Sequence, residues 1–203
     1  MPQTDQTDLL DAYDRASGWT AVKVKGATRK LERQTPCDEW DVRTLLNHML
    51  DTQRYFTGAA HGGDAPPPSP EPPNLLGDDP VATCEQSRAD LMRAFREPGA
   101  IEKTGPALGI ACADQLLHGW DLAKATGQDA TMPEGLPALA YDMIHGRFSD
   151  ELLAAPLYAH ELAAFHDHGS ATFFAHRRRG VVTFGSGAGA HHRAWSSALA
   201  AVF

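Results

Sequence analysis

A carboxylate and an imidazole one helical turn apart, on a surface that must face inward, constrain this chain more than any other feature. Residues 111–128, ACADQLLHGWDLAKATGQ, read as a helix. At about 100° per residue, Asp114 and His118 are neighbours on one face. The apolar stripe Ile110, Ala113, Leu117 and Trp120 lies beside them, so that face looks toward an interior. Charged groups in an interior need partners. The pair is therefore either a buried ion pair or two thirds of a divalent metal site, and the rest of the chain has to say which.

Residues 7–33 read as a first helix, with Thr7 or Asp8 able to cap it and Leu9, Leu10, Tyr13, Ala16 and Trp19 at helical spacing. The pattern blurs at Gly18 and again over 22–26, which leaves room for a break or an irregular turn there. Pro36 biases Thr35 away from helix and makes 34–39 a loop. Asp41 is placed to cap a second helix, 42–56, whose stripe is Val42, Leu45, Leu46, Met49 and Phe56. His48 sits at the edge of that stripe, about 100° from its centre, which suits a ligand reaching across a bundle or an imidazole grazing solvent. Residues 61–80, rich in Gly and Pro, read as a long crossover with mobile parts. Asp78-Asp79-Pro80 starts a third helix, 81–96, with Val81, Cys84, Arg88, Leu91, Met92 and Phe95 inward and a stop at 97–99. A short connection, 101–108, precedes the focal helix, which runs from about Gly109 to Thr126 with Gly127 just past its end. Met132-Pro133-Glu134 opens a shorter fifth helix through about Phe148. Four substantial helices, a shorter fifth and one long crossover predict an all-α bundle.

From Ser149 the clean periodicity is lost. Residues 152–165 suit a helix and 181–184 a short strand. The expected division is a helical bundle over 1–150 and a C-terminal extension over 151–203. The tail is rich in histidine (His160, His166, His168, His176, His191, His192). Its His160-Glu161 start of a zinc-protease pattern fails at Ala164, where the second histidine must stand. Arg177-Arg178-Arg179 reads as a solvated surface run.

The 203 residues suit one domain, or one domain with an appendage. A net charge of −8 argues against nucleic acid as a partner. No apolar run reaches the roughly 18 residues of a membrane span, and MPQTDQTDLL has neither the basic nor the apolar region of a secretory leader. Three widely spaced cysteines form neither a disulfide framework nor a zinc knuckle, so a reducing cytoplasm is the expected home. A nucleophile elbow and a Gly-rich phosphate loop are both missing.

The sharpest candidate is His48 with Asp114 and His118. Two imidazoles and a carboxylate form a borderline donor set suited to Zn²⁺, Ni²⁺ or Fe²⁺, and three protein ligands leave positions open. The plain alternative is that Asp114 pairs locally and both histidines are ordinary bundle residues. His145-Gly146-Arg147 reads as a helix terminus favoured by the macrodipole.

Residues 35–48, TPCDEWDVRTLLNH, resemble the T-P-C-x-x-W-x-V-x-x-L-x-x-H signature of actinobacterial DinB-like metal-binding proteins. That family is related to the N-terminal domain of mycothiol-dependent maleylpyruvate isomerase. Residues 113–123, ADQLLHGWDLA, followed by Ala125-Thr126-Gly127-Gln128, resemble its second signature. The resemblance spans about Leu9–Asp150. It implies a DinB/YfiT-like four-helix bundle with one divalent metal, zinc first and nickel or iron as alternatives, held by His48, Asp114 and His118. Asp114 stands where the isomerase has Glu. The resemblance further implies a thiol-dependent transferase or isomerase, in which the metal accepts a low-molecular-weight thiol such as mycothiol. Coordination then lowers the thiol pKa so that a thiolate can attack an electrophilic substrate. The rival is a non-catalytic helical module whose metal is structural or absent, with His145 or Asp121 as a closing fourth ligand. Asp121 also suits a second role, orienting a histidine. A homodimer on an exposed bundle face stays open.

Overall fold

The computed structural model describes residues 6–37, 40–63, 65–69, 71–104 and 107–144. The expected fifth-helix end, His145, the tail helix and strand, the tail histidines and the arginine run lie outside the described residues. Within them the chain is all-α, with helices α1 (Gln6–Ala27), α2 (Val42–Ala60), α3 (Pro80–Phe95), α4 (Ala100–Thr104), α5 (Ala107–Thr126) and α6 (Leu136–Ile144).

The helix starts obey capping chemistry. Asp41 accepts from the Thr44 amide at 2.8 Å and from its hydroxyl at 2.7 Å, satisfying a donor that the first turn of α2 would leave open. Asp79 accepts from Ala82 N at 3.0 Å, with Pro80 in the first turn of α3. Gly127 follows α5 with φ +72°, the left-handed conformation that glycine adopts without a Cβ clash.

Four expectations about the helices are corrected. The first helix ends at Ala27 rather than near Arg33, because Lys30 N turns back to Ala27 O at 2.8 Å. Its first residue is Gln6, so Thr7 and Asp8 lie inside α1 rather than capping it, and no break occurs at Gly18 or over 22–26. The segment 101–108 is not a plain connection, since α4 occupies 100–104 and α5 already runs from Ala107.

Helix α5 is the axis of the fold. Every residue from Ala107 to Ala123 is buried, as expected of a helix surrounded on all sides. Helices α1, α2, α4 and α6 pack on it, and α3 closes the bundle against α1 and α2. The close approach of α1 to α5 depends on Gly119. A Cβ there would come within 2.5 Å of Thr20 Oγ1 and of the Trp19 ring. Both neighbours are anchored: Thr20 Oγ1 donates to Gln115 O at 2.6 Å, and Trp19 Nε1 donates to Thr131 O at 2.9 Å.

The crossover between α2 and α3 is pinned rather than loose. Asn47, buried in α2, accepts from Leu75 N at 2.6 Å and Leu76 N at 3.2 Å, and Asp51 accepts from Ser69 N at 2.9 Å. Leu76 then lies in a core cluster with Trp40, Leu45, Leu46 and Met49. Among the described residues no helix is long and apolar enough to cross a membrane.

Candidate metal centre

His48 comes from α2, and Asp114 and His118 from α5. The structure brings the three together. Each offers a donor atom within 4.8 Å of the others, and their side chains are 0–1 % exposed. In His48 the expected position at the edge of a stripe is overridden: residues 45–50 are all buried, and Cys37, Trp40 and Leu76 share a core cluster with Leu45, Leu46, Met49 and Leu50.

The loop before α2 is built to hold His48. Thr35 folds it closed, its hydroxyl donating to Trp40 O at 2.6 Å and its amide donating to the same oxygen at 3.1 Å. Gln34 Nε2 donates to Cys37 O at 2.6 Å and to Trp40 O at 3.0 Å. This seats the Trp40 ring over the His48 ring, centroids 4.6 Å apart. His48 also meets His118 edge to face at 5.1 Å, and Thr52 Oγ1 lies 3.4 Å from its Nε2. The imidazole thus has Trp40, His118 and Thr52 among its neighbours.

On α5 the spacing works as geometry predicts. His118 Nε2 lies 3.2 Å from Asp114 Oδ1, one turn back, and its Nδ1 lies 3.4 Å from Asp121 Oδ2, one turn forward. The two carboxylates therefore grip opposite nitrogens of one ring. Asp121 faces the nitrogen turned away from Asp114, so it sits where an orienting carboxylate belongs rather than where a fourth ligand would. Its role as an orienter, weighed in the sequence, is the one the geometry favours.

Electrostatics separates the two histidines. Burial, reinforced by neighbouring His118, pushes His48 down to about 3 and keeps it neutral. Burial works against a charge on His118 too, but Asp114 and Asp121 outweigh it and push that ring up to about 10. Without a metal, the His118 imidazolium therefore supplies the positive charge between two buried carboxylates. The donor set fits a divalent ion. One donor atom from each of the three residues lies within 4.8 Å of the other two, a grouping that could hold one ion with nitrogen and oxygen ligands. Such an ion would take over the charge-balancing role of the His118 proton.

The comparisons agree with the geometry. The mycothiol maleylpyruvate isomerase N-terminal domain matches residues 15–123, a span that holds α2, α3, α4 and the part of α5 carrying Asp114, His118 and Asp121. The chain belongs to that family. Two proteins of Mycobacterium tuberculosis, from strains H37Rv and CDC 1551 and both described as uncharacterized, are 28% identical to it over 148 residues, covering 68% of this chain and 76% of theirs. No solved structure matches it significantly. The match makes this all-α, DinB-like chain a member of a mycothiol-related family, and its His-Asp-His cluster could hold a metal.

Proposed function

We propose that this protein is a metal-dependent enzyme acting on a low-molecular-weight thiol, with His48, Asp114 and His118 as the ligands of one divalent ion. The carrying observation is the convergence of two imidazoles and one carboxylate, all buried, from two helices. A donor set of this kind selects zinc first, then nickel or iron. When bound, the ion would supply Lewis acidity that makes a coordinated thiol a thiolate near neutrality. The chain's own groups would do the rest. His48, neutral and clamped by Trp40, is ready to coordinate without losing a proton. His118 must shed its proton to coordinate, and Asp121 on its second nitrogen holds the ring in register. Family membership supports a thiol of the mycothiol type and a transferase or isomerase activity toward an electrophilic substrate. A cytoplasmic home fits the three free thiols. We also assign the bundle to residues 1–150 and the extension to 151–203.

The complete burial of all three side chains favours one rival, a metal that only ties α2 to α5. Metal analysis of the purified chain and of His48→Ala and His118→Ala separates these readings. The proposal expects one divalent ion in the native chain, its loss in both variants, and perturbation of a cobalt spectrum by added thiol. Metal retained in either variant contradicts the ligand set, and a cobalt spectrum indifferent to thiol favours the structural role.

A further inference from the structure

Where α1, α2, α3 and α5 meet, the packing leaves a cavity that shares no residue with the His48–Asp114–His118 cluster. It offers about 20 Å³ to the centre of a water-sized guest, and roughly 10–15 Å³ suffices for one water. Val24, Met49 and Leu50 supply apolar wall, but two side-chain amides line it as well, Gln53 from α2 and Gln115 from α5. Both are buried, at 5 % and 2 % exposed. Gln53 Oε1 has no hydrogen-bond partner among the described residues. A buried amide oxygen without a donor costs stability, so the fold needs something to meet it.

The hydroxyls on the same wall are already engaged. Thr20 Oγ1 donates to Gln115 O at 2.6 Å, and Ser17 Oγ donates to Asp14 O at 3.3 Å. Each hydroxyl has one proton, so neither can serve Gln53 without giving up its own bond. Arg88 is tied to α1: its Nε donates to Ser17 Oγ at 2.8 Å, and its Nη2 donates to Asp14 Oδ1 at 2.5 Å. The guest that fits must therefore be small, and it must donate. An apolar guest leaves the oxygen unmet, an anion has no proton to give it, and a cation meets the Arg88 charge on the wall.

We propose that this cavity is a binding site for one ordered water molecule, which donates a hydrogen bond to Gln53 Oε1 and completes its bonding with the other polar side chains of the wall, Gln115 among them. The water does for α2 and α5 what Thr20 does for α1 and α5, carrying a polar bridge across a helix seam. The site also gives a reason for an amide at position 53, where a methionine of similar length would fill the space.

Crystal structures of the full chain and of Gln53→Met test this, with magnetic relaxation dispersion of water oxygen counting long-lived internal waters in solution. The expected result is compact density in the native cavity about 2.5–3.0 Å from Gln53 Oε1, none there in Gln53→Met, and one long-lived water fewer in the variant. A native cavity without density overturns the inference, as does density too large for one water or a Gln53 Oε1 bonded directly to a protein donor. A water that stays in the cavity of Gln53→Met also overturns it, since the amide would not be its anchor. Should that variant fail to fold, the native density and the native count of internal waters decide alone. None of these outcomes depends on whether the centre takes a metal.

Discussion

Alanine in place of Gly119 should weaken the fold, whereas alanine in place of Gly18 should strengthen it, although both glycines sit inside helices. In an exposed helix interior alanine is favoured over glycine by about 1 kcal/mol. At Gly18 the nearest atom a Cβ would meet is Arg88 Nη2 at 3.6 Å, an ordinary contact, so the gain is collected almost whole. At Gly119 the Cβ would come within 2.5 Å of both Thr20 Oγ1 and Trp19 Cζ3, roughly 1 Å inside normal packing distance. Neither neighbour can swing aside without breaking its hydrogen bond, to Gln115 O or to Thr131 O. Overpacking of this sort costs about 1–3 kcal/mol, and a lost hydrogen bond adds about 1 kcal/mol. Subtracting the helix preference leaves Gly119→Ala less stable by about 1–3 kcal/mol. For a domain of this size that is a drop of roughly 3–10 °C, against a rise of about 2–3 °C for Gly18→Ala. Thermal unfolding followed by circular dichroism, with chelator present, reads both values. Because residue 119 follows His118, forcing α1 from α5 should also weaken Co²⁺ binding in this variant alone. A Gly119→Ala protein as stable as the native chain would refute the reasoning, since it would mean the α1–α5 seam has slack.

Other predictions follow from the same geometry. In the metal-free protein, His118 lies above its unfolded value, so its contribution is fully present below about pH 6.5 and is lost as pH rises toward about 10. His48 lies below its unfolded value, so stability falls as pH drops from about 6.5 toward about 3. Urea unfolding against pH should accordingly peak near the ordinary histidine pKa, with the alkaline limb flattened in His118→Gln and the acid limb reduced in His48→Gln. Unchanged limbs in both variants would contradict these charge states. Asp121→Asn should lower zinc affinity about 10- to 100-fold by freeing the second nitrogen of His118, measured by competition with a chromophoric chelator; unchanged affinity would mean that Asp121 orients nothing. Asn47→Ala should strip two loop amides of their acceptor at a cost of about 1–3 kcal/mol, with faster hydrogen exchange at Leu75 and Leu76. Exchange rates equal to those of the native chain would show that the crossover is held elsewhere.

The parts of this fold that could be read in the sequence are those where one local signal decides. Asp41 before an apolar-periodic run, Asp79 before Pro80, and Gly127 after Thr126 mark helix ends by backbone chemistry alone. The four-residue spacing of Asp114 and His118 likewise fixes their proximity on α5. What stayed hidden depends on partners distant in the chain. Gly18 looked like a break because glycine weakens an isolated helix, but packing of α1 along α5 overrides a local preference. The end of α1 escaped because 28–33 holds neither Gly nor Pro to announce it. Asn47 reads as a polar residue on a helix, and its partners lie 28 and 29 positions away in a loop that carries no pattern. Trp40 belongs to a recognisable motif, yet only the folded loop shows that its ring is the wall behind His48. The spacing of Tyr13 marks it as apolar core, which is correct for its ring and silent about its hydroxyl.

X-ray absorption at the zinc edge, on the full chain loaded with one equivalent of zinc, tests the central claim most directly. The account predicts a first shell of nitrogen and oxygen at about 2.0–2.2 Å with the outer-shell scattering of two imidazoles and no sulphur, and one sulphur at about 2.3 Å once 2-mercaptoethanol is added. A shell containing cysteine sulphur before any thiol is present, or one carrying fewer than two imidazoles, would contradict it.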